Sequence, residues 1–217
     1  MEQVTACPNC NADIKFGVFD SNLIIPKEKT EAINFVLKTE APAHCDMCGV
    51  KAMAEARSQF FSLFNGFKNY VNENSGIVPI TTIPMPFGWE YTVLGMVTSQ
   101  TVTADGTLDE FKLSWNDLVG IEYPRLNSKL SNSEELCKSK IRIAAIIAGG
   151  NAVVGTDVDY GQLRSVNGVL MICMSGTAVR LNNPDVISPG WQEKVGELVR
   201  NYHQLKKFEV YESVFRN

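Results

Sequence analysis

Two pairs of cysteines near the start of the chain are the residues best suited to chemistry. Each pair, Cys7–Cys10 and Cys45–Cys48, encloses two residues, and this spacing lets one tight turn direct both sulfurs at the same ion. Two such turns supply the four thiolates that structural zinc prefers. We therefore predict that Cys7, Cys10, Cys45 and Cys48 bind one zinc ion per chain, at a closed structural site with no position open for catalysis.

The sequence leaves two other interpretations of these cysteines open. They are four unrelated buried thiols, or one pair is a redox motif, which is typical of a βαβ pattern that this region lacks. His44 is a further potential ligand, but it adjoins Cys45 and the four sulfurs suffice. The arrangement resembles a zinc ribbon with a long interval between its pairs, and we expect a positive φ at Gly49, where such a turn often ends.

The region that positions the cysteines has room for a strand near Ile14–Phe19 and a second element near Thr30–Thr39. From Lys51 to about Asn74, aromatic and aliphatic residues recur at steps of three and four, which predicts an amphipathic helix. Its apolar face must be buried against the rest of the chain or against a sister helix, and the pattern does not distinguish these alternatives.

The second half of the chain is organised around Gly149-Gly150-Asn151. A helical pattern precedes these residues, and it starts near Pro124 or, alternatively, at Ser131. One of the glycines suits a left-handed helix stop. The spacing of apolar residues predicts three strands, over Thr92–Ala104, Ala152–Tyr160 and Val169–Leu181. A capping-box pattern predicts a short helix over Thr107–Val119. Asn167-Gly168 predicts a hairpin turn between the last two strands. After them we expect a helix from Ser188 to about Lys206 and a short strand over Phe208–Phe215.

The strand over Val169–Leu181 is apolar on both faces, with Cys173 and Val179 on one and Ile172 and Met174 on the other. A small antiparallel sheet covered by one helix should have a polar second face. We therefore expect another subunit or domain to cover this face.

Two sets of side chains in this half are candidates for further chemistry. Asp157 and Asp159 share one strand face, and with Tyr160 they form a possible ligand or subunit-interface site, suited to a hard cation or a shared proton. The alternative is a solvated pair of carboxylates that contacts Arg164 or a neighbouring subunit. Cys137 and Cys173, with Met171 and Met174, could bind a soft metal, although buried core thiols explain both cysteines.

From about Val78 to Leu181 the chain resembles the YbjQ-like family of small bacterial proteins, also called heavy-metal-binding-domain proteins. The matching segments are Thr81-Thr82 with Pro84, Val93–Thr98, Gly150–Tyr160, Met171 and Ser175–Val179. The resemblance implies a β-α-β-β dodecin-like unit that assembles into a ring, typically a pentamer, and the family name implies metal binding. This chain differs from short members of the family by its cysteine pairs, the Lys51–Asn74 helix and a C-terminal tail.

These observations predict an α+β fold in four parts. Residues 1–50 form a zinc-ribbon-like module, hereafter the cysteine module, and residues 51–76 a connecting amphipathic helix. Residues 77–182 form the YbjQ-like oligomeric domain, and residues 183–217 a C-terminal helical extension.

The composition limits the classes of partner that the chain is expected to bind. With 20 basic and 24 acidic residues and no long basic block, the chain is not expected to bind nucleic acid. Its longest apolar stretches are too short to span a bilayer, so no membrane association is expected. Met1–Cys10 lacks the basic region and apolar core of a secretory signal, and the paired cysteines favour a reducing compartment, so we expect the cytoplasm.

Three functions fit the sequence. The first is a non-enzymatic, zinc-containing homo-oligomeric scaffold that binds an unidentified protein through the cysteine module. The second is sequestration of heavy or soft metals by the YbjQ-like domain. The third is an enzyme of unknown substrate that acts at a subunit cleft through Asp157, Asp159 and Tyr160.

Overall fold

The structure is a computed structural model, and it describes residues 5–17, 21–102, 124–162 and 170–216. The predicted helix over Thr107–Val119, the Asn167-Gly168 turn and Arg164 lie outside these residues. In the part of the chain that is described, no helix is both long enough and apolar enough to cross a membrane.

Helices and strands are mixed along the chain, which confirms the α+β class. The helices are α1 (Lys27–Leu37), α2 (Asp46–Asn74), α3 (Pro124–Ile147), α4 (Trp191–Glu209) and α5 (Glu212–Arg216), and the strands are β1 (Tyr91–Val102), β2 (Ala152–Gln162) and β3 (Leu170–Leu181). Within the described ranges the chain also forms two short 3₁₀ helices, Ser75–Ile77 and Pro184–Val186. The predicted strand over Phe208–Phe215 is wrong, because α4 continues to Glu209 and α5 follows it.

The chain divides into two compact units. The first unit consists of Met1–Val71 and Arg200–Asn217, and the second consists of Asn72–Val199. The packing therefore groups most of α2 and the end of the chain with the cysteine module, whereas the sequence suggested separate parts.

The first unit has an aromatic core around α2. Phe60 is fully buried, and its ring centroid lies 5.4 Å from that of Phe208 and 4.5 Å from that of Phe215. Phe67 also contacts Phe208, with centroids 5.4 Å apart. Because aromatic contacts of this kind add to the burial of apolar area, they fix this face of α2 against the C-terminal residues. The apolar face of α2 is thus buried within its own chain at Phe60 and Phe64, whereas Leu63 stays exposed.

The second unit is built on a three-stranded antiparallel sheet in the order β1-β3-β2. Helix α3 packs on one face, where Cys137, Ile141 and Ala145 meet Ile172 and Ala178 in a buried cluster. The β-α-β-β order agrees with the predicted unit. On the outer side of β2, residues 79–83 bond to the strand backbone, for example through Thr81 N–H to Val153 O at 3.0 Å.

The end of α3 has the geometry predicted from its glycines. Gly149 has a φ of 80°, in the left-handed region that favours glycine. Its N–H donates to Ile146 O at 2.9 Å, and the N–H of Gly150 donates to Ala145 O at 2.8 Å. These two bonds form a Schellman motif, which satisfies the last carbonyls of the helix and starts β2 directly afterwards.

A β-bulge interrupts β2 at Gly155, where φ is 59° and the pairing with β3 shifts between Val154 and Asp157. Strict alternation along the sequence placed the two aspartates on the same face as Val153. The extra residue moves Asp157 and Asp159 to the other face, which carries Ala152 and Val154.

The second face of β3 is covered in part by the chain itself. Ala152, Val154, Val179 and Leu181 form a buried cluster with Trp191 and Val195 of α4. Trp191 is held there by a hydrogen bond from Nε1 to Ile77 O at 2.9 Å. Farther along the strand, Cys173 and Ser175 are half-buried. The expectation that only another subunit or domain covers this face is therefore wrong for the Val179 end, and it stays a prediction for the Cys173 end.

Candidate metal centre

The two cysteine pairs lie in different local structures. The first pair lies in a turn closed by Asn11 N–H to Cys7 O at 2.9 Å and Cys7 N–H to Ala12 O at 2.8 Å. Asn11 has a φ of 59°, so the positive φ of this turn belongs to an asparagine, which tolerates it better than most residues. The second pair lies at the start of α2, whose first residue is Asp46. Cys45 and Cys48 therefore flank the first helical turn.

Gly49 does not have the positive φ that we expected. It lies within α2, and its N–H donates to Cys45 O at 2.7 Å. A Cβ at this position would lie 3.1 Å from Ile25 Cδ1 and 3.4 Å from His44 Cβ. A side chain here would therefore need the Ile25 side chain to shift by a few tenths of an ångström.

The four sulfurs form a single cluster in which every pair lies within 4.8 Å. Cys7 Sγ lies 3.9 Å from Cys48 Sγ, Cys10 Sγ lies 3.6 Å from Cys45 Sγ, and Cys45 Sγ lies 3.8 Å from Cys48 Sγ. These distances are far too long for disulfides. A tetrahedral zinc ion with zinc–sulfur bonds of about 2.3 Å places its sulfurs about 3.8 Å apart. The cluster therefore fits one tetrahedral metal ion.

The thiols of this cluster differ in pKa. Burial raises the pKa of Cys45, but hydrogen bonds from the Cys48 N–H and from the Cys10 and Asn22 side chains outweigh it and lower the pKa to about 6. The Ala12 N–H lowers the pKa of Cys10, but burial and hydrogen bonds to the other thiols raise it to about 12. Thus one thiol ionises readily while its neighbour keeps its proton, because several thiolates this close repel one another without a cation.

Two polar side chains adjoin the cluster: Asn9, to which the sequence assigned no role, and His44, which it offered only as a further potential ligand. Asn9 Nδ2 lies 3.0 Å from His44 Nδ1 and 3.7 Å from Cys48 Sγ. His44 Nδ1 itself lies 3.4 Å from Cys48 Sγ. His44 is buried, and this burial lowers the pKa of its ring, which favours the neutral form.

The other candidate residues lie in the second unit and do not form one group. Asp157 and Asp159 are exposed on the face of the sheet away from α3. Tyr160 lies on the α3 face, where its hydroxyl donates to Glu134 Oε1, and this bond raises the Tyr160 pKa. The three residues therefore do not converge within one chain.

An open groove of about 530 Å³ lies in the second unit. Its lining includes Asp159 and Cys173, together with Gln100 and Lys140, whose Nζ donates to Gln100 O at 3.0 Å. The soft-metal set that included Cys173 does not converge here. Cys137 of α3 is buried against Met174 on the α3 face of the sheet, whereas Cys173 is half-buried on the opposite face. Among the described residues, the only group of three or more cysteine, histidine or acidic side chains placed to hold an ion is the four-cysteine cluster.

Comparison with known proteins gives a family match that lies within the second unit. The sequence model of a family described as "putative heavy-metal-binding" matches residues 78–182. A UPF0145 protein of Geobacillus kaustophilus (strain HTA426) is 32% identical over 90 residues, which cover 42% of this chain and 84% of that protein. A crystal structure of a protein of unknown function from the DUF74 family, from Pediococcus pentosaceus ATCC 25745, matches with 18% identity and a TM-score of 0.32, over 48% of this chain and 96% of that one.

Proposed function

This chain belongs to the YbjQ-like family through residues 78–182, and from that premise we propose that it is a metal-binding, non-enzymatic scaffold protein. In this proposal one zinc ion per chain joins the two cysteine pairs and fixes the cysteine module. The second unit assembles copies of the chain into a ring, of five subunits by resemblance to the family. The observation that carries the proposal is the spacing of the four sulfurs, from 3.6 to 3.9 Å for the closest pairs.

Zinc is the ion proposed because of the donor set. Four thiolates are soft ligands, and zinc accepts them in tetrahedral geometry without redox chemistry. When bound, the ion would supply a cross-link between Cys7 and Cys10 in the first turn and Cys45 and Cys48 at the start of α2. A reducing compartment such as the cytoplasm would keep these thiols available for metal.

The exposed surface of the second unit supports assembly. Among the described strands β1 lies at one edge of the sheet, since their order is β1-β3-β2. Along it Val93 and Met96 are 62% and 75% exposed, and Phe87 in the preceding segment is fully exposed. Exposed apolar side chains along such a strand are a surface that monomeric proteins usually avoid.

The cysteine module carries its own exposed apolar side chains. Phe16, Met47 and Val50 are 79%, 65% and 69% exposed. A rigid, metal-bound module with such side chains is suited to bind another protein, whose identity the chain does not specify.

Native mass spectrometry of the purified, reduced protein tests the proposal, since it gives the number of subunits and the bound metal together. We expect an oligomer with one zinc per chain. Cys7→Ser with Cys45→Ser should remove the metal, because two of the four ligands are lost. Cys173→Ser is the matched control and should keep it, because Cys173 lies outside the cluster.

Two results would contradict the proposal in different ways. If the wild-type protein takes up no metal under reducing conditions, the proposed metal centre is ruled out. If the protein remains monomeric at high concentration, the proposed ring is ruled out, but the zinc assignment is unaffected. Metal beyond one equivalent, lost in Cys173→Ser or Asp157→Asn, would instead support sequestration by the second unit.

A further inference from the structure

The surroundings of Cys48 differ from those of the other three thiols. Two nitrogen atoms from separate parts of the chain lie near its sulfur, His44 Nδ1 at 3.4 Å and Asn9 Nδ2 at 3.7 Å. These nitrogens lie 3.0 Å from each other. Asn9 lies between the cysteines of the first pair, and His44 directly precedes the second pair. The contact therefore links the two halves of the metal centre beside one ligand.

The position of the imidazole proton decides what His44 does. A neutral ring carries one N–H, at Nδ1 or at Nε2. His44 is 4% exposed, and its Nε2 is buried without a hydrogen-bond partner among the described residues. A proton at Nε2 would be a buried donor with nothing to accept it, which is rarer and costlier in proteins than a buried acceptor without a partner.

The sulfur of Cys48 argues for the same tautomer. A metal ligand must be a thiolate, and a lone pair on Nδ1 at 3.4 Å would face that negative charge. A proton on Nδ1 turns this contact into a charge-assisted hydrogen bond. With the proton on Nδ1, the amide of Asn9 must be rotated so that Oδ1, and not Nδ2, lies 3.0 Å from Nδ1. The Nδ1–H is then shared between this oxygen and Cys48 Sγ.

We propose that His44 is a positioning residue of the metal centre, which donates its Nδ1–H to the metal-bound thiolate of Cys48 while Asn9 holds the ring in place. The proposal rests on the proposed zinc site. Four thiolates on a divalent ion leave two excess negative charges, and an N–H directed at one sulfur offsets part of this charge. His44 then increases the retention of the metal without being a ligand.

Three variants test the donor, each measured by competition for Zn²⁺ with a chromophoric chelator at neutral pH. His44→Leu removes the donor and keeps an apolar side chain in the buried space, and we expect the affinity for Zn²⁺ to fall about 10–100-fold. His44→Asn keeps an amide close to the position of Nδ1, and we expect it to recover most of this loss. His203→Leu changes the other histidine of the chain, which is exposed, and should match the wild type. Circular dichroism of each variant checks that the helices are retained.

The tautomer itself is measurable in the unmodified protein. In zinc-loaded protein labelled with ¹⁵N-histidine, the ring nitrogen shifts of His44 should report a proton on Nδ1. This measurement does not depend on whether a variant folds.

The outcomes separate this inference from the proposed function. A proton on Nε2 in the zinc-loaded protein would overturn the inference. The inference would also fail if the His44→Asn variant binds Zn²⁺ as weakly as the His44→Leu variant. Affinity unchanged in His44→Leu would overturn it too. Wild-type protein that binds no Zn²⁺ would overturn the zinc site and the inference together.

Discussion

At the scale of single residues, the metal centre should depend on pH because its thiols must lose protons before they can bind an ion. The pKa of Cys10, about 12, means that this thiol is protonated at neutral pH, whereas Cys45, with a pKa of about 6, is largely ionised. Metal binding then displaces the proton of Cys10. Affinity should therefore fall as the pH falls, by about tenfold per pH unit for each proton displaced.

Chelator competition at pH 5, 6, 7 and 8 measures this dependence. Below pH 6 the fall should become steeper, because Cys45 then also carries a proton that the metal must displace. Zn²⁺ affinity that is constant from pH 6 to pH 8 would show that the thiols are already ionised in the metal-free protein.

The same residues show what local spacing reveals about the site. The four cysteines were predicted from two short spacings, each set within one turn of the chain. The contact between Asn9 and His44 was not, because it joins residues 35 positions apart whose approach depends on how the turn meets α2. In the sequence His44 resembled a spare ligand, since its only visible relation was to its neighbour Cys45.

At the scale of the elements, the junction between α3 and β2 is the most tightly constrained point of the second unit. A Cβ on Gly150 would lie 2.8 Å from Val179 O and 3.1 Å from Ala145 O, and neither backbone atom moves easily. We expect Gly150→Ala to destabilise the second unit by about 1–3 kcal/mol through overpacking. Chemical denaturation followed by fluorescence of the buried Trp191 measures the change.

Gly76→Ala is the matched control for this prediction. Gly76 also lies in the second unit, its φ is not positive, and a Cβ there would meet nothing within 4 Å. Its effect should stay within about 0.5 kcal/mol. Equal effects of the two substitutions would show that the close approach at Gly150 is relieved by small backbone shifts.

Elements with a clear local signal were predicted well, and those set by distant contacts were not. The Gly149 stop of α3 follows from local geometry and is confirmed. The Pro124 start stays a prediction, because the residues before Pro124 lie outside the described ranges. The bulge at Gly155 has no comparable signal, since glycine within a strand marks several different irregularities. Phe208–Phe215 was too short to show a period, and it is helical where its aromatic rings pack against α2.

At the scale of the whole molecule, the sequence indicated the order of the parts better than their grouping. The cysteine module and the residues of the YbjQ-like domain were each delimited by their own motifs. The return of Arg200–Asn217 to the first unit was not predicted, because no local pattern shows which distant surface a tail helix covers. The aromatic core around Phe60 is the physical reason for this grouping.

Loss of the metal should loosen the first unit and leave the second intact. In residues 5–25 the described backbone forms only isolated bridges, such as Ala6↔Asp13 and Lys15↔Asn22, so the ion would supply much of the order there. The second unit has its own core, in which Val153, Ile141 and Ile172 are fully buried. In Cys7→Ser with Cys45→Ser, hydrogen exchange should therefore accelerate in residues 5–25 and at the start of α2 but not in β1, β2 or β3.

Mass spectrometry of exchanged peptides measures this, with Cys173→Ser as the control. Faster exchange in β3 as well would mean that the two units unfold as one cooperative structure.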